Sequence, residues 1–287
     1  MRKKAIFLMM ICICFVLSGC QTSITSMNGS ITAVGSSALQ PLVEVAAEQF
    51  QMQYPDVLIN VQGGGSGQGL SQIVMGTVEI GNSDTFAEEK KIDVDKYELQ
   101  DHKVAVVGIG VIANKESGVR DITHQQLIDI FTGKIRNWQE VGGQNMPIIV
   151  INRASGSGSR ATFEKYGLNN QEPIVAQEQD NSGTVKKLVK DTKGAISYVS
   201  FSYFSDDYQA LSIDGVEPTR ENVETNQWKI WAYEHMYTKR EKDVITKTFL
   251  EYMLSDDVQD NIVSQLGYIP VKTMTIDRDV KGNIRVK

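Results

Sequence analysis

The sequence is poor in the residues from which disulfides, metal centres and most hydrolytic sites are made. Its three cysteines, Cys12, Cys14 and Cys20, all fall in the first twenty residues, so no disulfide or cysteine-bound metal can form in the rest of the chain. The three histidines, His102, His124 and His235, are scattered singly, and none has the spacing of a metal-ligand pair. No serine sits in Gly-x-Ser-x-Gly, so a nucleophile elbow is absent. No glycine-rich segment runs into the Gly-Lys-Ser/Thr of a nucleotide-binding loop. The stretch Gly108-Ile109-Gly110-Val111-Ile112-Ala113 matches G-x-G-x-x-A, but it lies inside an apolar run with no helical pattern directly after it and reads as coincidence. Positive charge is also short: 29 Lys and Arg stand against 35 Asp and Glu. Residues 1–20 hold three of the basic residues and none of the acidic ones, which leaves 26 against 35, a net of −9, for the remainder. Broad affinity for nucleic acid is disfavoured.

What is present begins with a targeting signal. Met1-Arg2-Lys3-Lys4 is a basic start, and the apolar run Ala5–Leu17 that follows is thirteen residues long, too short to span a bilayer comfortably. It ends in Leu17-Ser18-Gly19-Cys20, which resembles the lipobox of bacterial lipoproteins, where the cysteine is acylated and becomes the new N-terminus. Residues 1–20 are therefore expected to be a lipoprotein signal peptide, Cys20 the lipidation site, and the Ser/Thr-rich residues 21–30 a tether.

From Ile31 onward, short apolar runs alternate with amphipathic stretches: Ile31–Val34 then Leu39–Phe50, Val57–Val61 then Leu70–Met75, Lys103–Ala113 then Gln125–Thr132, and Ile148–Ile151 then Arg160–Tyr166. Strand followed by helix, repeated, predicts an α/β fold. Pro41 falls in the first turn of the Leu39 helix, where its missing N–H is harmless, and Tyr54-Pro55-Asp56 supplies the stop. The apolar run Val104–Ala113 and the later Lys229–Tyr237 are candidates for two extended segments crossing between lobes. On that reading residues 31–112 and 236–287 form a discontinuous first lobe and 113–235 the second; a single continuous α/β domain is the alternative.

Three places put glycine and serine between an apolar run and a helical pattern: Val34–Ala38, Gly63–Gly69 and Arg153–Ser159. A helix start leaves N–H groups without intrahelical partners and carries positive partial charge, so an anion can satisfy it; glycine admits the backbone and serine adds hydroxyl donors. Taken singly, each turn is equally an ordinary serine N-cap or a flexible loop. Two charged residues adjoin these turns. Arg153 closes the run Ile148–Ile151, and Asp84 ends Ile80-Gly81-Asn82-Ser83-Asp84. They read either as a surface salt bridge or as a guanidinium clamp on an oxyanion with a carboxylate nearby. The acidic pairs Glu88-Glu89 and Asp206-Asp207 read as solvated faces.

At these residues the chain resembles a known family, the phosphate-binding lipoproteins that feed Pst-type ABC importers. GSSALQPL (35–42), QGGGSGQGL (62–70), IGNSDTFA (80–87), IFTGKIRNW (130–138), RASGSGSR (153–160) and GAISYV (194–199) are the tracts that carry the likeness, in family order. The resemblance implies a two-lobed periplasmic-binding-protein fold of type II that closes on one phosphate, with no metal, cofactor or catalysis. It also implies Ser37 and the Ala38 N–H as ligands from the first tract and Ser66 from the second. Asp84 matches the proton-accepting carboxylate and Arg153 the clamp, while Ser157, Gly158 and Ser159 match the helix-start donors. The family often has threonine in place of Ser159, and it can carry an acidic residue, a second proton-accepting carboxylate, where this chain has Ser155. The implied protein is a monomer, lipid-anchored on the extracytoplasmic face of the cell membrane, that hands phosphate to ABC permease subunits. The competing readings are the same fold tuned to molybdate or sulfate, and a lipoprotein phosphate-ester hydrolase using Ser37, Ser66 or Ser157 as nucleophile, which would need a base or metal beside the serine.

Overall fold

The computed structural model describes residues 27–287, so the expectations for residues 1–20, for Cys20 and for most of the tether fall outside the described residues. The strands in chain order are β1 (Gly29–Gly35), β2 (Val57–Gln62), β3 (Ile80–Ser83), β4 (Leu99–Ala113), β5 (Asp121–Ile122), β6 (Ile149–Arg153), β7 (Gln177–Gln179), β8 (Ala195–Ser200), β9 (Gln209–Ala210), β10 (Ser212–Ile213), β11 (Trp231–Lys239), β12 (Ile276–Arg278) and β13 (Ile284–Val286). The helices are α1 (Gln40–Gln53), α2 (Ser66–Met75), α3 (His124–Phe131), α4 (Gly158–Thr162), α5 (Ser182–Asp191), α6 (Arg220–Glu224), α7 (Val244–Met253) and the short α8 (Val263–Gln265). A wide turn over Phe163–Gly167 prolongs α4.

One nine-stranded sheet runs β2-β1-β3-β11-β4-β8-β6-β7, with β9 also on β4. β1 is parallel to β2 and β3, and β6 is parallel to β7 and β8, so each end of the sheet is built from strand–helix–strand units. β11 and β4 run antiparallel through the middle. The fifteen-residue β4 joins the ends: its first part, to Gly108, pairs with β11, and its last part, Ile109–Ala113, pairs with β8. The return passage lies beside it, where the Ile109 N–H donates to the Ile230 carbonyl at 2.8 Å just before β11 begins. An all-apolar strand is what a passage buried on both faces requires, and Val104 to Ala113 is buried throughout.

The two glycines of the G-x-G-x-x-A coincidence now have a packing reason. A Cβ on Gly108 would stand 2.3 Å from the Phe201 ring, and one on Gly110 would stand 2.2 Å from the Phe204 ring. They are seats for aromatic side chains, and no phosphate loop is involved.

Helix α1 buries Leu42, Val43, Ala46, Ala47 and Phe50, one face of a 3.6-residue repeat, with Pro41 in its first turn. Phe50 meets Phe249 of α7 edge-on at 5.4 Å, and covering such a ring contributes about 1.5–3 kcal/mol. These helices pack on the β1–β2 end of the sheet, and α5 packs on β6, β7 and β8 at the other, so the loops leaving the parallel strands toward their helices are held in fixed positions. All three Gly/Ser turns are such loops.

Candidate functional site

The Gly/Ser turns converge and are tied to each other through the backbone. The Gly65 N–H donates to the Gly35 carbonyl at 2.9 Å, linking the first turn to the second, and the Gly67 N–H donates to the Gly156 carbonyl at 3.0 Å, linking the second to the third. Gly35 has φ +141°, and a Cβ there would meet the Asn82 carbonyl oxygen at 2.1 Å, so only glycine permits β1 to turn this close to β3. A fourth turn joins them: Ser182, at the start of α5, donates its N–H to Ser37 Oγ at 3.3 Å, and the two hydroxyls lie 3.2 Å apart. The first turns of α1, α2, α4 and α5 therefore meet in one place, which sums four positive helix ends.

Two charged side chains form opposite poles of this cluster. Arg153 leaves the end of β6, is 1% exposed, and donates to Ser37 Oγ at 3.1 Å, Ser182 Oγ at 3.0 Å and the carbonyls of Asp180 and Gln179 at 2.8 and 3.2 Å. Burial pulls its pKa below the ordinary arginine value, and the charge of Asp84 is the leading influence in the other direction. No ion pair among the described residues includes Arg153. Its guanidinium is a buried cation held by neutral acceptors only. Asp84 is the other pole, 3% exposed. Its Oδ2 accepts from Ser159 Oγ at 2.7 Å, its Oδ1 accepts from Ser66 Oγ at 3.4 Å, and its N–H donates back to Ser66 Oγ at 2.9 Å. The reading of each as a surface salt bridge therefore gives way to two buried groups, each satisfied by hydroxyls from more than one turn.

Several site residues expected from sequence meet here, each in its own way. Ser37, Ser66, Asp84, Arg153 and Ser159 form the hydrogen-bonded cluster. Ser157 lies at the same helix start, but its hydroxyl caps α4 by accepting the Arg160 N–H at 3.2 Å. Gly158 and Ser159 are the first helical residues, so their N–H groups have no intrahelical carbonyl to bond. The Ala38 N–H is directed to Ser36 Oγ at 3.0 Å within its own turn. Ser182 was missed, although Asn181-Ser182-Gly183-Thr184 carries the same Gly/Ser helix-start signal as the other three turns. Tyr203 was missed too; its hydroxyl donates to the Ser37 carbonyl at 2.8 Å and burial raises it to about 12. Arg160, next to the third turn, is committed elsewhere, to Glu164 and Glu178 at 2.6 and 2.5 Å.

The histidines offer no base to the serines. His102 lies against Thr238 at 3.1 Å, His124 against the Gly167 carbonyl at 2.8 Å and His235 against Asp101 at 2.8 Å. Among the described residues no group of three or more His, Cys, Asp and Glu side chains could hold a metal.

Gly158 sets how closely the turns approach. A Cβ there would stand 2.3 Å from Ser66 Oγ and 2.9 Å from Asp84 Cβ, contacts that force a shift. Since Gly158 begins a helix, alanine suits the backbone locally. Gly158→Ala is therefore expected to push the turns apart, lowering the ligand-free thermal midpoint through an overpacked contact that costs about 1–3 kcal/mol and weakening anion affinity by up to about a hundredfold. Differential scanning fluorimetry paired with calorimetric titration checks both halves.

A curled α/β sheet with two halves, joined by β4 and β11 and meeting at helix starts around a buried guanidinium, defines a two-lobed solute-binding protein. The model of the PBP superfamily domain matches residues 21–257. The phosphate-binding protein PstS of Bacillus subtilis is 53% identical over 256 residues, covering 89% of this chain and 85% of that protein. A crystal structure from Clostridium perfringens, described as a phosphate ABC transporter substrate-binding protein with bound phosphate, shares 37% identity at a TM-score of 0.79 and covers 85% of this chain and 100% of that one. An ABC-type phosphate transport receptor from Vibrio cholerae, 24% identical with a TM-score of 0.67 over 84% of this chain and 100% of that one, shares the fold. The chain belongs to the PBP superfamily and, within it, to the PstS family of phosphate-binding proteins.

Proposed function

We propose that this protein binds inorganic phosphate between its lobes and presents it to the membrane subunits of an ABC importer. The observation that carries the reading is Arg153: a buried guanidinium with hydroxyl and carbonyl partners but no carboxylate, facing a buried Asp84 across the helix starts. Such a site suits a tetrahedral anion that brings negative charge for the arginine and a proton for the aspartate. Ser37, Ser66, Ser159 and the N–H groups of Gly158 and Ser159 supply donors for the remaining oxygens, with the Ser157 cap holding that helix start in place. The relatives' names and the phosphate in the Clostridium perfringens structure support the same ligand.

The lobe division is part of the proposal: the expected lobes, residues 31–112 with 236–287 and residues 113–235, hinge where β4 passes from β11 to β8 and the chain returns into β11, which draws their bounds in to Gly108–Ile109 and Ile230–Trp231. Hydrogen bonds from Arg153 to Ser37 and from Ser159 to Asp84 then span the lobes, so ligand held by both sides favours the closed state. A lipid anchor at Cys20, an extracytoplasmic location and action as a monomer complete the reading; no helix among the described residues is long and apolar enough to cross a membrane.

Molybdate and sulfate lack the proton that Asp84 would accept, and the hydrolase reading lacks a histidine beside any serine of the cluster. Calorimetric titration of the lipid-free protein with phosphate, sulfate and molybdate tests the proposal. One phosphate per chain with at least about a hundredfold preference over sulfate is expected, within the discrimination a site of matched polar groups can reach. Equal affinity for all three anions would overturn it.

A further inference from the structure

Glu234 is fully buried, and neither of its carboxyl oxygens has a hydrogen-bond partner among the described residues. It lies in β11 one step beyond His235, which pairs with Ser83 of β3; continuing that antiparallel register sets Glu234 across from Asp84. Residues so opposed direct their side chains to the same face, with Cβ atoms about 5 Å apart. On the other edge of β11, Glu234 pairs with Ala105 and His235 with Lys103, so Val104 is the extra residue of a bulge. Its carbonyl is taken by Gln259 Nε2 at 2.9 Å. Bulges re-aim side chains, and this one falls at the residue that faces Asp84.

Burial comes first, then the charge of Asp84, and together they hold the Glu234 carboxyl well above the ordinary glutamate value. In the present arrangement the two carboxyls stand outside hydrogen-bonding distance of each other. The other titratable groups that feel Glu234 are the Tyr203 and Tyr268 hydroxyls, both raised by burial and neutral at pH 7, while Arg153 acts on the pair from the Asp84 side. Among the described residues no basic side chain pairs with Glu234.

We propose that Glu234 is a positioning residue for phosphate: as a neutral acid it donates its proton to a shared hydrogen bond with Asp84 and thereby fixes that carboxylate as an acceptor toward the ligand. A carboxylate offers about four acceptor positions. Without ligand Ser66 and Ser159 occupy two of these; when those hydroxyls turn to the oxygens of phosphate, Glu234 takes one of the freed positions and the hydroxyl of phosphate another. When Glu234 ionises, two carboxylates and an anion share one dry site, so binding gains an alkaline limit that the ligand's own titration does not set. This role presupposes phosphate binding at Asp84.

Glu234→Gln separates the possibilities, because the amide donates as the acid does but cannot ionise. In calorimetry the variant should bind phosphate within about threefold of wild type at pH 7, since the donated hydrogen bond is retained. Toward alkaline pH wild type should lose about tenfold more affinity than the variant, the size of a one-unit like-charge effect. Parallel profiles would overturn the proposal. A ligand-free readout stands beside it. Well below pH 4.5, the ordinary glutamate value, the proton is retained in both states. As pH rises the unfolded chain releases it while the folded chain keeps it, so wild-type stability falls with pH until the raised folded pKa is passed. The thermal midpoint of Glu234→Gln relative to wild type should therefore climb steadily as pH rises from about 4.5; a difference that stays flat overturns the proposal. If wild type gives no heat with phosphate, the functional reading has failed, and the thermal comparison then decides the protonation of Glu234 by itself.

Discussion

Arg153→Ala is expected to lower phosphate affinity by about two to three orders of magnitude. The guanidinium bridges Ser37 and Ser182 and covers the carbonyls of Gln179 and Asp180, so its removal takes the cation from two buried hydroxyls and the donor from the Asp180 carbonyl. It also removes the positive charge opposite Asp84. Truncating one partner of a buried, hydrogen-bonded charge pair costs roughly 2–5 kcal/mol, which converts to about 30- to 5,000-fold in affinity. Arg153→Lys should recover only part of the loss, because one ammonium cannot reach both hydroxyls as the planar fork does. Titration calorimetry measures the effect and circular dichroism verifies the fold. A variant within tenfold of wild type would remove Arg153 from the site.

Asp84→Asn should act on selectivity more than on affinity. Phosphate near pH 7 keeps a proton that it can give to a carboxylate, whereas sulfate has none and would bring an unpaired negative charge against Asp84. Sites that reject an analogue by leaving a buried polar group unmatched can discriminate by ~10⁴ or more. An amide in place of the carboxylate donates to either anion. Phosphate affinity should then fall, sulfate affinity should rise, and the ratio between them should shrink by about a hundredfold or more. An unchanged ratio, measured with both anions under the same conditions, would show that Asp84 does not read the proton.

The parts of the site that a sequence reader can find are those whose signal is local. A strand, a Gly/Ser turn and a helix lie within fifteen residues of each other around Ser37, Ser66 and Ser159, and each carries its own punctuation, so three of the four turns could be named before any coordinates. The fourth, Asn181–Thr184, carries the same signal, but its preceding strand, Gln177–Gln179, is short and polar. An alternation of apolar runs does not register such an edge strand. Arg153 and Asp84 stood out because each is a charge at the end of an apolar run. Their separation into buried poles was not legible, since nothing near either residue in sequence records that Ser37 and Ser182 bond the arginine or that Ser66 and Ser159 bond the aspartate.

Glu234 shows the limit most clearly. In sequence it sits in Trp231-Ala232-Tyr233-Glu234-His235, where a charged residue in an extended segment ordinarily faces solvent. Its burial follows from the pairing of β11 with β3 and from the bulge at Val104, contacts made by residues more than a hundred positions apart. The route of β4 was the opposite case. An apolar run too long for one ordinary strand, Val104–Ala113, already suggested a passage between two bodies.

The most direct test is a crystal structure of the protein grown with phosphate. One phosphate should lie between the guanidinium of Arg153 and the carboxylate of Asp84, within hydrogen-bonding distance of Ser37, Ser66 and Ser159. Phosphate bound elsewhere on the chain, with Arg153 and Asp84 still holding only their own serines, would contradict the account.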